Sequence, residues 1–251
     1  MSTASWLEGA EPIHGLPLVR CWSGAVDPLP VRPIRAAARR HLSSNAALPR
    51  WQTGPANEPF DFCKHIQRLC SEISGRCEAL THLDVRRILF AVTQARNGHA
   101  HGLQARVTPL RFRAGSLTRR RRGVTYQVQR YFVDSRDILY LVTFCLPRFL
   151  DLDFDEKFVT LFHELYHISP AFDGDLRRHD GRYSVHSHSQ RLYDEHMAHL
   201  ARAYLNDGAD PNLHGFLRLD FAQLQCRHGS VVGVMVPRPK IIPLAEAKAG
   251  D

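Results

Sequence analysis

From Phe162 the chain reads Phe-His-Glu-Leu-Tyr-His, so two histidines stand four residues apart with a glutamate directly after the first. On a helix this spacing stacks the His163 and His167 imidazoles on one face, one turn apart, where both reach a single ion. Zinc accepts imidazole nitrogen at about 2.0–2.1 Å in a tetrahedral shell and keeps one position for water in catalytic sites. Glu164, beside the pair, is then placed to take a proton from that water and pass it to a leaving amine. The chemistry these residues point to is zinc-dependent hydrolysis of a peptide bond. Seven of the fifteen histidines fall between His163 and His199, which makes this stretch the place to look for the rest of the shell.

A third protein ligand is needed, and the spacing leaves several open. A metzincin would place it six residues after the second histidine, but that position is Asp173 and the pattern's glycine is missing. His179, twelve residues downstream, His186 and His188 in the following loop, Glu195 on the next helix, and Asp175 all remain. A structural zinc site would be closed by four protein ligands, usually including cysteine. No cysteine lies within fifteen residues of the motif, and a retained glutamate has no purpose in a closed site. Serine nucleophile chemistry has no support, because no G-x-S-x-G element is present.

The elements that must position this motif follow from hydrophobic spacing. Asp153 and Glu156 form a D-x-x-E helix start, and a helix runs from there to about Ile168, ahead of Pro170. Phe158, Phe162 and Leu165 anchor its opposite face in the core. A second helix is predicted from about Ser189 to Leu205, with Leu192, Met197, Leu200 and Tyr204 on its inner face. Upstream, Asp61 to Arg76 reads as a helix with Phe62, Ile66, Leu69 and Ile73 at helical spacing. Cys63, Cys70 and Cys77, spaced by seven, mark one face of it as small packing residues. β-rich stretches follow at Asp84–Arg96, Leu103–Arg113, Tyr126–Val133 and Ile138–Cys145, and a last strand at Val231–Val236. Arg119-Arg120-Arg121-Arg122 is read as the turn between the second and third of these stretches. The predicted architecture is α+β, a small mixed or antiparallel sheet packed on the motif's helix and a second helix.

The 251 residues carry 44% hydrophobic and 23% charged side chains, which excludes a chain disordered throughout. Eight of the fifteen prolines lie at or before Pro59, so residues 1–58 read as a proline-rich arm, partly disordered, with a short helix expected around Ile34–Leu42. Residues 59–236 form the domain, and residues 237–251 an extended tail. The apolar run from Ile138 to Leu146 is about half the length of a membrane crossing. No basic segment followed by an apolar one opens the chain, so a cytoplasmic protein without disulfides is expected. The net charge is +8, and only four of the 33 basic residues are lysine. That supports a second reading, a basic nucleic-acid-binding module with a structural or vestigial zinc site. Arg119 to Arg122 with Arg111 and Arg113 would contact phosphates, and Tyr126 and Tyr131 would lie nearby for stacking.

The segments His163-Glu164-Leu165-Tyr166-His167-Ile168-Ser169-Pro170, Phe172 to His179, Gly181-Arg182-Tyr183 and the helix start Ser189-Gln190 together resemble the SprT-like zinc metallopeptidases, and more closely the group of putative phage metallopeptidases. The resemblance covers roughly residues 60 to 240. It implies a zincin-type fold and one Zn2+ per chain held by His163 and His167, with Glu164 as the catalytic residue and a protein or peptide as substrate. An arginine-rich loop ending in a histidine soon after a Gly-Asp pair matches His179 as third ligand, with His186 next. SprT proteins proper carry that histidine further on in an H-G-x-x-F/W setting, whereas Ser187 and Ser189 follow His186 and His188 here. Relatives of known role act on DNA-bound proteins, which implies a nucleic-acid-associated substrate.

Overall fold

The computed structural model describes residues 18–24, 26–36, 53–55, 58–96, 102–178 and 190–244. Three short strands come first, β1 (Val19–Trp22), β2 (Val31–Pro33) and β3 (Phe60–Asp61), followed by helix α1 (Phe62–Arg76). Seven strands lead to the centre of the chain: β4 (Ile88–Gln94), β5 (Ala105–Pro109), β6 (Thr118–Arg121), β7 (Val124–Val128), β8 (Arg130–Val133), β9 (Arg136–Ile138) and β10 (Tyr140–Leu146). Helices α2 (Phe154–Tyr166), α3 (Gln190–Asn206), α4 (Pro211–His214) and α5 (Phe221–His228) follow, then strands β11 (Val231–Val234) and β12 (Ile241–Pro243). The fold is α+β. Among the described residues no helix is long and apolar enough to cross a membrane.

The sheet that carries the site has the order β4-β10-β5. β10 runs parallel to β4 with Tyr140 opposite Ile88, and antiparallel to β5 with Val142 opposite Val107. Both faces of this sheet are covered, which is why β4 reads as an unbroken apolar run instead of alternating. Ile88, Phe90 and Val92 enter the main core with α1, α2 and α3, while Leu89 and Ala91 face a second cluster built around Trp22, Tyr131 and Leu141.

Helix α1 starts where Asp61 accepts the Lys64 backbone N–H at 3.1 Å, and it buries the four apolar residues expected of it along with Cys63 and Cys70. Helix α2 starts at Asp153, whose N–H is accepted by the Glu156 carboxylate at 3.2 Å. Phe158, Leu161, Phe162 and Leu165 on α2 are all buried. So is Lys157, whose Nζ donates to the carbonyl oxygens of Leu217 and Leu219 at 2.9 Å each.

Several sequence expectations are corrected. The stretch from Tyr126 to Val133 is two strands in different sheets, since β7 pairs with β6 and β12 while β8 pairs with β1 and β9. Arg119 to Arg121 lie in strand β6 and only Arg122 turns, with φ 49° followed by Gly123 at φ 81°. On α3, Leu192 is 68% exposed and the inner stripe passes through Met197, Ala201 and Tyr204. Of the helix expected around Ile34–Leu42, residues 34–36 are irregular, directly after strand β2, and the remainder lies outside the described residues. Within the proline-rich N-terminal segment β1 pairs with β8 and β2 with β11, and in the C-terminal stretch β12 pairs with β7.

Candidate active site

Helix α2 lines a cleft of about 980 Å³ from its first turn, Asp155 and Glu156, to its end at His163, Glu164 and His167. His163 and His167 lie together on that wall, with ring centroids 4.5 Å apart and planes at 81°. Glu164 lines the same cleft but is 92% buried, since only 8% of it remains exposed. Strand β5 forms the opposite wall. The Cys145 N–H bonds to Gln104 and the Leu110 N–H to Leu139. By the antiparallel alternation, the peptide groups of Ala105 and Val107 therefore turn away from β10, toward the open edge. The Val107 N–H donates to the Glu164 carboxylate at 2.6 Å. Burial pushes the Glu164 carboxyl up to about 7, against the opposing effects of this bond and of the Arg106 charge. The group is thus balanced between holding and releasing a proton near neutral pH.

Helix α3 closes the site from the side. Tyr193 packs edge-on against His163 at 4.8 Å and stacks on His167 at 5.8 Å with planes 21° apart. The Asp194 carboxylate lies 3.6 Å from His163 Nδ1. Burial raises the Tyr193 hydroxyl above its usual range, and the neighbouring Tyr166 ring adds to it.

The chain leaving α2 is fastened at many points. Arg177 donates its backbone N–H to the His167 carbonyl at 2.7 Å and its Nε to the Tyr166 carbonyl at 2.7 Å, and its guanidinium lies 3.9 Å over the Tyr166 ring. Leu176 pairs with Ile168. The Tyr140 hydroxyl accepts the Gly174 N–H and donates to the Asp175 carbonyl, both at 2.9 Å. Gly174 has φ +91°, and a Cβ there would come within 2.4 Å of Arg111 Cγ, so this turn admits only glycine. Arg111 itself is buried and pairs with Asp137, so it is not on the surface as the phosphate-contact reading requires.

The pair and the glutamate predicted from the sequence are thus brought together on one wall. Asp175 is committed elsewhere: its carboxylate binds Arg178 at 2.8 Å and accepts the N–H groups of Leu176 and Ala114. Burial raises the Asp175 carboxyl, but those bonds outweigh it and hold the group below its ordinary value. Of the neighbouring acids on α3, Asp194 lines the cleft, and Glu195 is exposed and is not among the lining residues. His179, His186 and His188 lie outside the described residues. Among the described residues no group of three His, Cys, Asp or Glu side chains is placed to hold a metal ion. The two imidazoles, close together on the cleft wall beside a carboxylate, fit two positions of a zinc shell. The sequence reading missed Asp194. Helical spacing places Asp194 on the stripe of Met197, Ala201 and Tyr204, but the spacing does not say that this edge of α3 meets the cleft.

The family model described as Putative phage metallopeptidase matches residues 60–204. That span contains α1, the β4-β10-β5 sheet, α2 and all but the end of α3. No curated protein and no solved structure matches the chain.

Proposed function

Because this chain belongs to the putative phage metallopeptidase family, we propose that it is a zinc-dependent endopeptidase whose single Zn2+ is held by His163, His167 and His179. The observation that carries this reading is the juxtaposition of the His163–His167 pair and Glu164 with an open strand edge across one cleft. Zinc, when bound, supplies Lewis acidity toward the scissile carbonyl and makes water acidic enough to attack at neutral pH. The remaining work belongs to the chain. The outward peptide group of Ala105 and the outward carbonyl of Val107, whose N–H is taken by Glu164, offer an extended substrate backbone a strand edge to pair with. Glu164, buried and near neutral in its proton affinity, accepts the proton of the attacking water and returns it to the leaving amine nitrogen. Arg106 and Arg177, which line the cleft, and Tyr193, packed against both imidazoles, are the donors on hand for developing negative charge.

The test is bound metal per chain, by mass spectrometry of the purified protein, beside His163→Ala and His179→Ala. About one zinc in the parent, lost in both variants, is the expected result. Zinc kept by His179→Ala would move the third position to His186 or Glu195, and no zinc in the parent after supplementation would end the reading.

A further inference from the structure

Strands β6 and β7 and the turn between them carry four consecutive arginines, and the site just described uses none of them. All four residues of β6 are exposed, and β6 is the edge of the sheet ordered β12-β7-β6. The pairing Arg119 with Tyr126 and Arg121 with Val124 puts these two arginines on one face, and Arg120 opposite Thr125 on the other. At about 3.3 Å of rise per residue, Arg119 and Arg121 stand roughly 6.6 Å apart along the ribbon. Arg122, in the left-handed region at φ 49°, carries a further charge on the turn itself. None of residues 118–128 is acidic, and Lys240 adds a charge next to β12. Phe112 supports the root of the ribbon through the Arg119 guanidinium, 5.4 Å from its ring centroid. Among the described residues no third strand continues beyond Thr125, whose carbonyl accepts the Leu244 N–H, so the tip there is a two-stranded ribbon.

We propose that this arginine ribbon is a docking surface for duplex DNA, lying in the major groove with its guanidiniums on the flanking phosphates. The groove, about 12 Å wide, admits a two-stranded β-ribbon, and a ribbon cationic on both faces and at its tip matches a channel with phosphates on both sides. Guanidinium suits phosphate better than ammonium does. A single strand would call for aromatic platforms at the tip, and the two aromatics beside the ribbon, Tyr126 and Phe112, are half-buried at its root. Charge that merely guards an edge strand against pairing with another chain accounts for β6 but has no use for Arg122 on the turn. The inference is independent of the peptidase reading and is tested without reference to cleavage.

The experiment is fluorescence anisotropy of a labelled 20-base-pair duplex with the full-length Glu164→Gln protein, from about 50 to 200 mM salt. Arg119→Gln/Arg121→Gln/Arg122→Gln is compared with a control that removes equal charge elsewhere, Arg32→Gln/Arg68→Gln/Arg202→Gln. The ribbon variant is expected to lose at least tenfold in affinity and to flatten the slope of log K against log salt by about 0.9 per lost phosphate contact. The control is expected to change less than threefold. Arg121→Gln alone, at an exposed strand position, is expected to lose threefold or more, which serves if the triple variant folds poorly. Equal losses in ribbon and control variants, tighter binding of the same oligonucleotide as a single strand or of polyglutamate, or no binding by the parent at 50 mM salt would each overturn the proposal.

Discussion

Glu164 has two partners to satisfy, the Val107 N–H and a proton. Glu164→Gln keeps an oxygen for Val107 but cannot take the proton. It is therefore expected to lower peptide hydrolysis by about 10²- to 10⁴-fold while zinc per chain stays at the parent value. A variant that still cleaves at the parent rate would remove Glu164 from the proton-transfer role. Asp194 lies 3.6 Å from Nδ1 of His163, and with zinc on Nε2 a carboxylate closing on Nδ1 would orient that imidazole and raise its basicity. Asp194→Asn should weaken zinc retention about 10- to 100-fold in competition with a chelator, with helix content unchanged by circular dichroism. Zinc retention equal to the parent's would reduce Asp194 to a bystander. At this scale the motif was legible because four-residue spacing on a helix is a geometric necessity. Asp194 and Val107 were not, because their relation to the pair depends on how α3 and β5 pack, which no local spacing encodes.

Helix α2 works as a unit, and its position is set from behind. Lys157 reaches the carbonyls of Leu217 and Leu219 from the face opposite the cleft, tying α2 to the chain just ahead of α5. Burial brings the Lys157 amine down to about 8, against the pull of Asp220, Asp151 and Asp153. The folded value thus lies below the unfolded one, so between about pH 8 and 10.5 the unfolded chain holds a proton that the folded chain has shed. Stability contributed by this group therefore rises with pH across that window and is flat below it, by up to about 1.4 kcal/mol per pH unit. Urea midpoints of the parent between pH 7.5 and 10 should show this rise relative to Lys157→Met, and parallel curves would refute it. At neutral pH, Lys157→Met leaves two buried carbonyls without a donor, an expected cost of about 1–3 kcal/mol. The outline of α2 was plain in the sequence, from the Asp153 start to Pro170. Its lysine looked like any solvent-facing helix residue, since a buried charge gives no periodic signal.

Taken whole, the molecule is held together by segments that look least structured in the sequence. Leu18, Trp22 and Ile34 are all buried, and they come from the proline-rich stretch. His228 is likewise buried and bonded to Thr53 at 2.7 Å and to the Pro55 and Glu58 carbonyls at 3.1 Å. Large-to-small changes at such sites cost about 2–5 kcal/mol each, while whole domains are stable by about 5–15 kcal/mol. Removing residues 1–36 is therefore expected to abolish a cooperative thermal transition. An unchanged melting curve would show that β1 and β2 are dispensable. Proline and glycine content signals the absence of long elements, and it is silent about three- and four-residue strands that exist only because β8 and β11 offer them edges. The long strands β4 and β10, by contrast, were legible because each carries a long apolar run, Ile88–Val92 in the first and Tyr140–Leu146, broken only by Thr143, in the second.

The turn at Gly174 has one more consequence, for how sequences of this kind can drift. The stem of Arg111 occupies the space a side chain at 174 would need, and the same arginine shares Asp137 with Arg87 and Arg130. Shortening residue 111 to alanine would remove the 2.4 Å Cγ contact and leave its Cβ at 2.9 Å together with the backbone demand for φ near +91°; replacing Gly174 first would meet all three. The order of substitution is thus constrained: across divergent members of this lineage, position 174 should leave glycine, if at all, only for asparagine or aspartate, and only where residue 111 is already small.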